Sequence, residues 1–209
     1  MIPTLKTVEA ELELAGRLNP GPWVKHSWNV GAAARYIAEK VPGMDGERAY
    51  ILGALHDIGR RVGVVNIPRH VYEGYRYAAA QGWDEAAKIC MTHSYPLKEA
   101  EFSGKTDSPE ERIIKDYIAA CSYDEYDWLI QLCDSLAADY GFCILEKRLV
   151  DVARRYGIQE NTVARWNRKF EIKEYFEERM GCSLYEVLPD VGRTTLLSPP
   201  PWKPERKPT

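Results

Sequence analysis

A histidine and an aspartate stand side by side at His56-Asp57, after the apolar helical run Ala49-Tyr50-Ile51-Leu52-Gly53-Ala54-Leu55 and directly before Ile58-Gly59. The run itself is expected to be largely buried. Taking a carboxylate and an imidazole into such an interior costs several kcal/mol unless something pairs with them. A divalent cation is the simplest partner, because it neutralises Asp57 and takes a lone pair from His56. The chain is therefore expected to hold a metal.

The pattern around this pair is helical almost throughout. Leu5–Leu18 reads as a first helix, stopped by Asn19-Pro20-Gly21-Pro22. Trp23–Val41 follows, with Trp23, His26, Val30, Ala33 and Ile37 on one stripe. The helix that runs into His56-Asp57 is expected to close at Gly59 as a C-terminal glycine, which also lets the chain turn away and leaves room for substrate. A helix holding His70 and one ending at His93 come next, then a polar loop from Ser94 to Thr106. Ser108-Pro109-Glu110-Glu111 is a capping box that opens a further helix. Asp124 starts a long helix in which Ile130, Asp134 and Ala137 align. Leu145–Tyr156, Thr162–Met180 and a short turn at Leu184–Leu188 complete the pattern. No alternating strand run or internal repeat is found. The fold class is all-α, one helical domain over residues 1–190 with an extended, proline-rich tail over 191–209.

Length and composition agree with a single soluble domain. The 209 residues allow one sizeable core, and 45% hydrophobic with 28% charged residues describes a globular chain. No apolar run approaches the roughly 20 residues needed to cross a bilayer. Met1–Lys6 shows no secretory leader pattern. Five cysteines without a CxxC pair predict a reducing cytoplasm and no disulfide framework. A net charge of -3 gives no reason to expect nucleic acid or an anionic membrane as the main partner.

The chain has four histidines, His26, His56, His70 and His93, each on or at the end of an expected helix. Asp134 lies on an apolar stripe between Leu132 and Leu136. One buried histidine is ordinarily a satisfied core residue. Four, with two buried-looking aspartates on separate helices, are better explained as ligands. Mixed imidazole and carboxylate donors suit Fe, Mn, Co, Ni or Zn, and argue against a thiolate zinc site.

His26, His56-Asp57 and Asp134, in that order and on helices, resemble the H…HD…D signature of the HD-domain metal-dependent phosphohydrolases. His56-Asp57-Ile58-Gly59 matches the HDIG form of its central motif. The resemblance implies an all-α core around one or two divalent ions. His70 and His93 are similar to the histidines that bind a second ion in the two-metal branches, as in bacterial HD-type diadenosine tetraphosphate hydrolases. In those branches the motif aspartate bridges both ions. The substrate implied is a nucleotide, dinucleotide or other small phosphate ester, cleaved by metal-activated water. Arg60 and Arg61 are candidates to take charge on the phosphoryl group, alongside Asp57 at the reacting centre. Lys25 is a further candidate. The missing GYP tripeptide, with Ser94 in place of a second adjacent histidine, argues against cyclic-dinucleotide chemistry.

Two rival readings stand beside this one. Residues Leu149–Trp166 have the small, turning and apolar positions of a helix-turn-helix, with Arg165, Arg168 and Lys169 able to meet DNA phosphates. Two antiparallel core helices joined at a glycine give the same pattern. Alternatively the chain is a metal-binding HD domain without catalysis, a sensor or scaffold. Tyr95, just past His93, is the best candidate for a pocket aromatic, and Trp202 in the tail for docking on the body or on a second subunit.

Overall fold

A computed structural model describes residues 1–100 and 108–197. The chain folds as an all-α bundle. In order, the helices are α1 (Leu5–Leu18), α2 (Trp23–Ala38), α3 (Gly46–Leu55), a 3-10 helix (Ile58–Val62), α4 (Ile67–Ala80), α5 (Asp84–Thr92), α6 (Pro109–Ala120), α7 (Glu125–Asp134), α8 (Leu145–Tyr156), α9 (Thr162–Met180), α10 (Leu184–Val187) and α11 (Val191–Leu196).

Local chemistry sets most of the starts. The side chains of Thr4, Asp45, Asn66, Ser108 and Asp124 accept hydrogen bonds from backbone N–H groups in the first turns of α1, α3, α4, α6 and α7. The capping boxes Ser108/Glu111 and Asp124/Asp127 are both formed.

The centre of the bundle is the crossing of α2 and α3. Gly31 and Gly53 meet there so closely that a Cβ on Gly53 would lie 2.9 Å from Gly31 Cα. Val30, Ile37, Leu52 and Leu55 are buried around the crossing, with Leu129 and Ile130 of α7 and Phe176 of α9 in the same core. A smaller apolar cluster, Val71, Met91, Tyr95, Ile114 and Ile118, lies beneath α6.

Three expectations are corrected. Gly59 is not a left-handed helix cap; it lies inside the 3-10 helix, pressed against the backbone of α4. The helix from Asp124 ends at Asp134, and Ala137 pairs instead with Phe142 in a two-residue antiparallel bridge. Apolar small residues extend the helical pattern past Asp134, so the stop is hidden in the sequence. Finally, residues 191–196 are helical, not extended, and α11 packs on the strand Gly141–Phe142. The proline-rich segment and Trp202 lie outside the described residues, as do residues 101–106 of the Ser94–Thr106 loop.

Candidate metal centre

Three helix C-termini converge at one place. His56 follows the last residue of α3, His93 follows the last residue of α5, and Asp134 is the last residue of α7. The partial negative charge of each terminus favours a cation there. His26 and His70 enter from one turn inside α2 and α4. His26, His56, Asp57, His70 and His93 are buried, while the Asp134 side chain keeps 27% of its surface. Water therefore reaches the cluster at its Asp134 edge.

Asp57 stands between two groups of donors. Its Oδ1 lies 3.0 Å from His70 Nε2 and 3.6 Å from His93 Nε2. Its Oδ2 lies 3.8 Å from His56 Nε2. On the other side, Asp134 Oδ1 is 2.9 Å from His26 Nε2 and 3.9 Å from His56 Nε2. Two sets of donor atoms, His26/His56/Asp134 and His56/Asp57/His93, each lie within 4.8 Å of one another. His70 adjoins the second set, with Nε2 3.4 Å from that of His93.

The imidazoles are held by the backbone. His56 Nδ1 lies 2.7 Å from the Gly53 carbonyl oxygen, His93 Nδ1 2.9 Å from that of Cys90, and His70 Nδ1 3.3 Å from that of Asn66. A carbonyl can only accept, so the Nδ1 atoms of His56 and His93 carry the proton and their Nε2 atoms present a lone pair inward, whereas His70 lies between two acceptors, the Asn66 carbonyl and Asp57 Oδ1. His56 Nε2 is buried with no hydrogen-bond partner. An orphaned buried acceptor aimed into a cluster of like donors is what a metal would satisfy.

Charge states point the same way. Burial pushes the Asp57 carboxyl up, but Arg60, His56 and His70 together hold it well below the usual carboxylate range. Burial likewise opposes ionisation of Asp134, and His26, His56 and Lys169 overcome it. Burial and the neighbouring His56 push His93 down to about 3. Burial also lowers His26 against the pull of Asp134. Ionised carboxylates and neutral imidazoles are the forms that bind metal.

A second layer fixes His93. The Thr92 hydroxyl donates to Asp127 Oδ1 at 2.6 Å, and Gln131 Nε2 donates to the Thr92 carbonyl at 3.0 Å. Lys88 Nζ closes the buried network on Asp127 Oδ2 at 2.5 Å.

The two candidate arginines part company. Arg60 Nε donates to Asp57 Oδ2 at 2.5 Å, at the edge of the cluster. Arg61 turns the other way. It pairs with Glu11 at 3.3 Å and stacks on the Tyr77 ring at 3.8 Å. That places it against α1 and α4, so the phosphoryl role considered for Arg61 is not carried forward. Lys25 is exposed. Tyr95 lies in the small apolar cluster with its carbonyl accepting from Tyr123, not in an open pocket.

A family model, HD domain, matches residues 23–139. The chain belongs to the HD-domain family. The match runs from the start of α2 to the bridge after α7 and contains all six clustered histidines and aspartates, as well as Arg60. Comparison with curated proteins and with solved structures gives no match. HD domains bind divalent metals, and the His/Asp groups found here could hold one.

Beyond the match, α9 reaches the cluster with two cations. Lys169 Nζ donates to Ser135 Oγ at 2.5 Å, and Arg165 donates to the Ser94 carbonyl at 3.1 Å. Their inward direction had a sequence signal. Arg165 and Lys169 share a helical stripe with Ile172 and Phe176, both buried. The helix-turn-helix reading assigned these cations to DNA, yet they point into the fold, and Arg168 pairs with Glu171 at 2.9 Å. Ile158 and Val163, which that reading would bury between its helices, are 75% and 60% exposed.

Proposed function

We propose that this HD-domain chain is a metal-dependent phosphohydrolase acting on a nucleotide, dinucleotide or other small phosphate ester. One observation carries the reading. Six donors, carried by α2, α4, α5, α7 and the His56-Asp57 pair after α3, meet around a buried imidazole nitrogen that no protein group satisfies.

Two ions fit the donor arrangement better than one. An Nε2 lone pair serves a single ion, whereas a carboxylate can offer one oxygen to each. His26, His56 and Asp134 would hold one ion and His70 and His93 the other, with Asp57 available to both. Divalent ions held there would supply the Lewis acidity that turns water into a nucleophile near neutral pH. The other tasks belong to the chain. The backbone carbonyls of Gly53 and Cys90 hold His56 and His93 in one tautomer. Arg60 anchors Asp57 through Nε, and its terminal nitrogens make no hydrogen bond among the described residues. They are the groups to meet a phosphoryl oxygen at the accessible edge, where Arg60 keeps 28% of its side-chain surface. Access at Asp134 and Arg60 favours turnover over a purely structural ion.

The test is metal analysis of the purified protein together with assays on phosphomonoesters, nucleotides and dinucleotides supplemented with Mn, Co, Ni, Zn or Fe. Metal-dependent hydrolysis that disappears in Asp57→Ala supports the reading. Full metal content and undiminished hydrolysis in Asp57→Ala would end it.

A further inference from the structure

We propose that α9 is a bracket that sets the spacing of the two ion sites: Lys169 positions Asp134 through Ser135, and Arg165 positions His93 through Ser94. The inference rests on the two-ion arrangement proposed above and adds the residues that hold it in place.

Asp134 ends α7 and His93 directly follows α5, and each is succeeded by a serine. One helix grips both serines. Lys169 Nζ donates to Ser135 Oγ at 2.5 Å, and that hydroxyl donates in turn to the Gln131 carbonyl oxygen at 3.5 Å. Arg165 donates to the Ser94 carbonyl oxygen at 3.1 Å. The two donors stand one turn apart in the middle of no loop but of α9 itself, a helix of 19 residues. Its regular rise therefore fixes the distance between their roots. Helix ends are where the backbone is least restrained by its own hydrogen bonds, and both ligands stand at such ends. A tie on the residue just beyond each ligand removes that freedom.

Gln131 ties the same two segments from within. It lies one turn before Ser135 on α7, and its Nε2 donates to the Thr92 carbonyl oxygen at 3.0 Å. The ends of α5 and α7 are thus joined on two sides, by Gln131 inside and by α9 outside.

Packing alone does not call for cations at these positions. Ile172 and Phe176 already bury the inward stripe of α9. Two like charges one turn apart repel, and apolar side chains in their place would carry no desolvation cost. What the cations add is a directed contact to each ligand-bearing turn. Lys169 has a second effect on the same ligand, since its charge helps to keep Asp134 ionised. Both residues lie outside the matched segment 23–139, so the bracket comes from the chain that follows the HD match.

Cobalt(II) binding to the chelator-treated protein, read by its absorption bands and by competition with a chromophoric chelator, tests the bracket without any substrate. In a His70→Ala background, which leaves the His26/His56/Asp134 site, Lys169→Met and Ser135→Ala should each weaken binding by about 10–100-fold, the scale for losing an outer partner of a ligand, while Arg165→Met should change it by less than about threefold. In an Asp134→Ala background the order should reverse. Lys169→Arg and Arg165→Lys should regain most of the affinity. Lys169→Met and Ser135→Ala remove one and the same contact, so their effects should not add, whereas two unrelated losses of stability would add. Should Lys169→Met fail to fold, Ser135→Ala reads that contact with the charge left in place. Wild-type affinities in the folded variants, equal losses at both sites, or additive effects of the Lys169 and Ser135 substitutions would each overturn the bracket. Site-selective losses in a protein that hydrolyses no phosphate ester would retain the bracket and refute the catalytic reading instead.

Discussion

Gly59 and His70 meet backbone to backbone: a Cβ built on Gly59 would overlap the carbonyl oxygen of His70 and the nitrogen of Gly74. The contact seats the 3-10 helix after His56-Asp57 directly on α4. It brings His70 Nε2 to 3.0 Å from Asp57 Oδ1. No rotamer change can relieve an overlap with main-chain atoms. Gly59→Ala should therefore displace α4 and lower the unfolding free energy by about 2–3 kcal/mol. Metal content should fall with it, through His70 and His93. Urea denaturation and metal analysis check both, and a Gly59→Ala protein of wild-type stability and full metal content would show that the close approach is dispensable.

Asp57 turns one oxygen toward His70 and His93 and the other toward His56, so single substitutions should separate the two ions. His70→Ala is expected to remove one ion and leave the other. Asp134→Ala should remove the complementary one, and Asp57→Ala should weaken both. Loss of an outer partner of a metal ligand already lowers affinity about 10–100-fold, and loss of a ligand should exceed that. Competition with a chromophoric chelator measures each stoichiometry. Identical losses from all three variants would indicate a single site.

The six donors were legible in the sequence because polar residues at apolar helical positions are costly unless they share a task. His26 and Asp134 stand on buried stripes, and His56, Asp57 and His93 close apolar runs. The role of Gly59 was hidden, since its partners His70 and Gly74 come from a different helix and a turn explains a glycine equally well. Arg60 and Arg61 could not be told apart, because neighbouring residues of a 3-10 helix point about 120° apart and the sequence does not say which faces inward. Lys169 resembled part of a solvated basic face. The stripe it shares with Ile172 and Phe176 was the available sign that it turns inward.

Those two arginines yield opposite expectations. Arg60→Ala should lower kcat/KM by about 100-fold, the scale of one transition-state hydrogen-bond donor. Arg61→Ala should leave kcat/KM nearly unchanged and reduce stability by about 1 kcal/mol, through loss of the Tyr77 stacking contact. Steady-state kinetics and thermal melts on both variants check the pair. A reversed pattern would exchange their roles.

Thr92→Val probes the support beneath His93. Valine keeps the volume and removes the hydroxyl that donates to buried Asp127. A buried carboxylate oxygen then loses its partner, which costs about 1–3 kcal/mol. The melting temperature should drop, and metal affinity should weaken because residue 92 adjoins the His93 ligand. An unchanged melting temperature would mean that Lys88 and the Asp124 N–H together satisfy Asp127.

Acid should destabilise the metal-free protein earlier than carboxylate titration explains. His93 is pushed down to about 3 in the fold from an ordinary value of 6.5. His26 is lowered too, with burial as the main cause. Between about pH 6.5 and 3 the unfolded chain takes up a proton at residue 93 that the folded protein resists, and His26 acts in the same direction. Stability therefore falls as pH drops through this window, by up to about 1.4 kcal/mol per pH unit for each histidine. Asp57 and Asp134 act in the same direction, but at lower pH. Their folded values lie well below 3.8, so the stability they contribute is complete above that pH and fades only beneath it. Urea melts of the chelator-treated protein from pH 7 to 4 should show the decline, and His93→Gln should flatten it. A flat profile down to pH 4 would mean that the imidazoles reach water and protonate in the folded state.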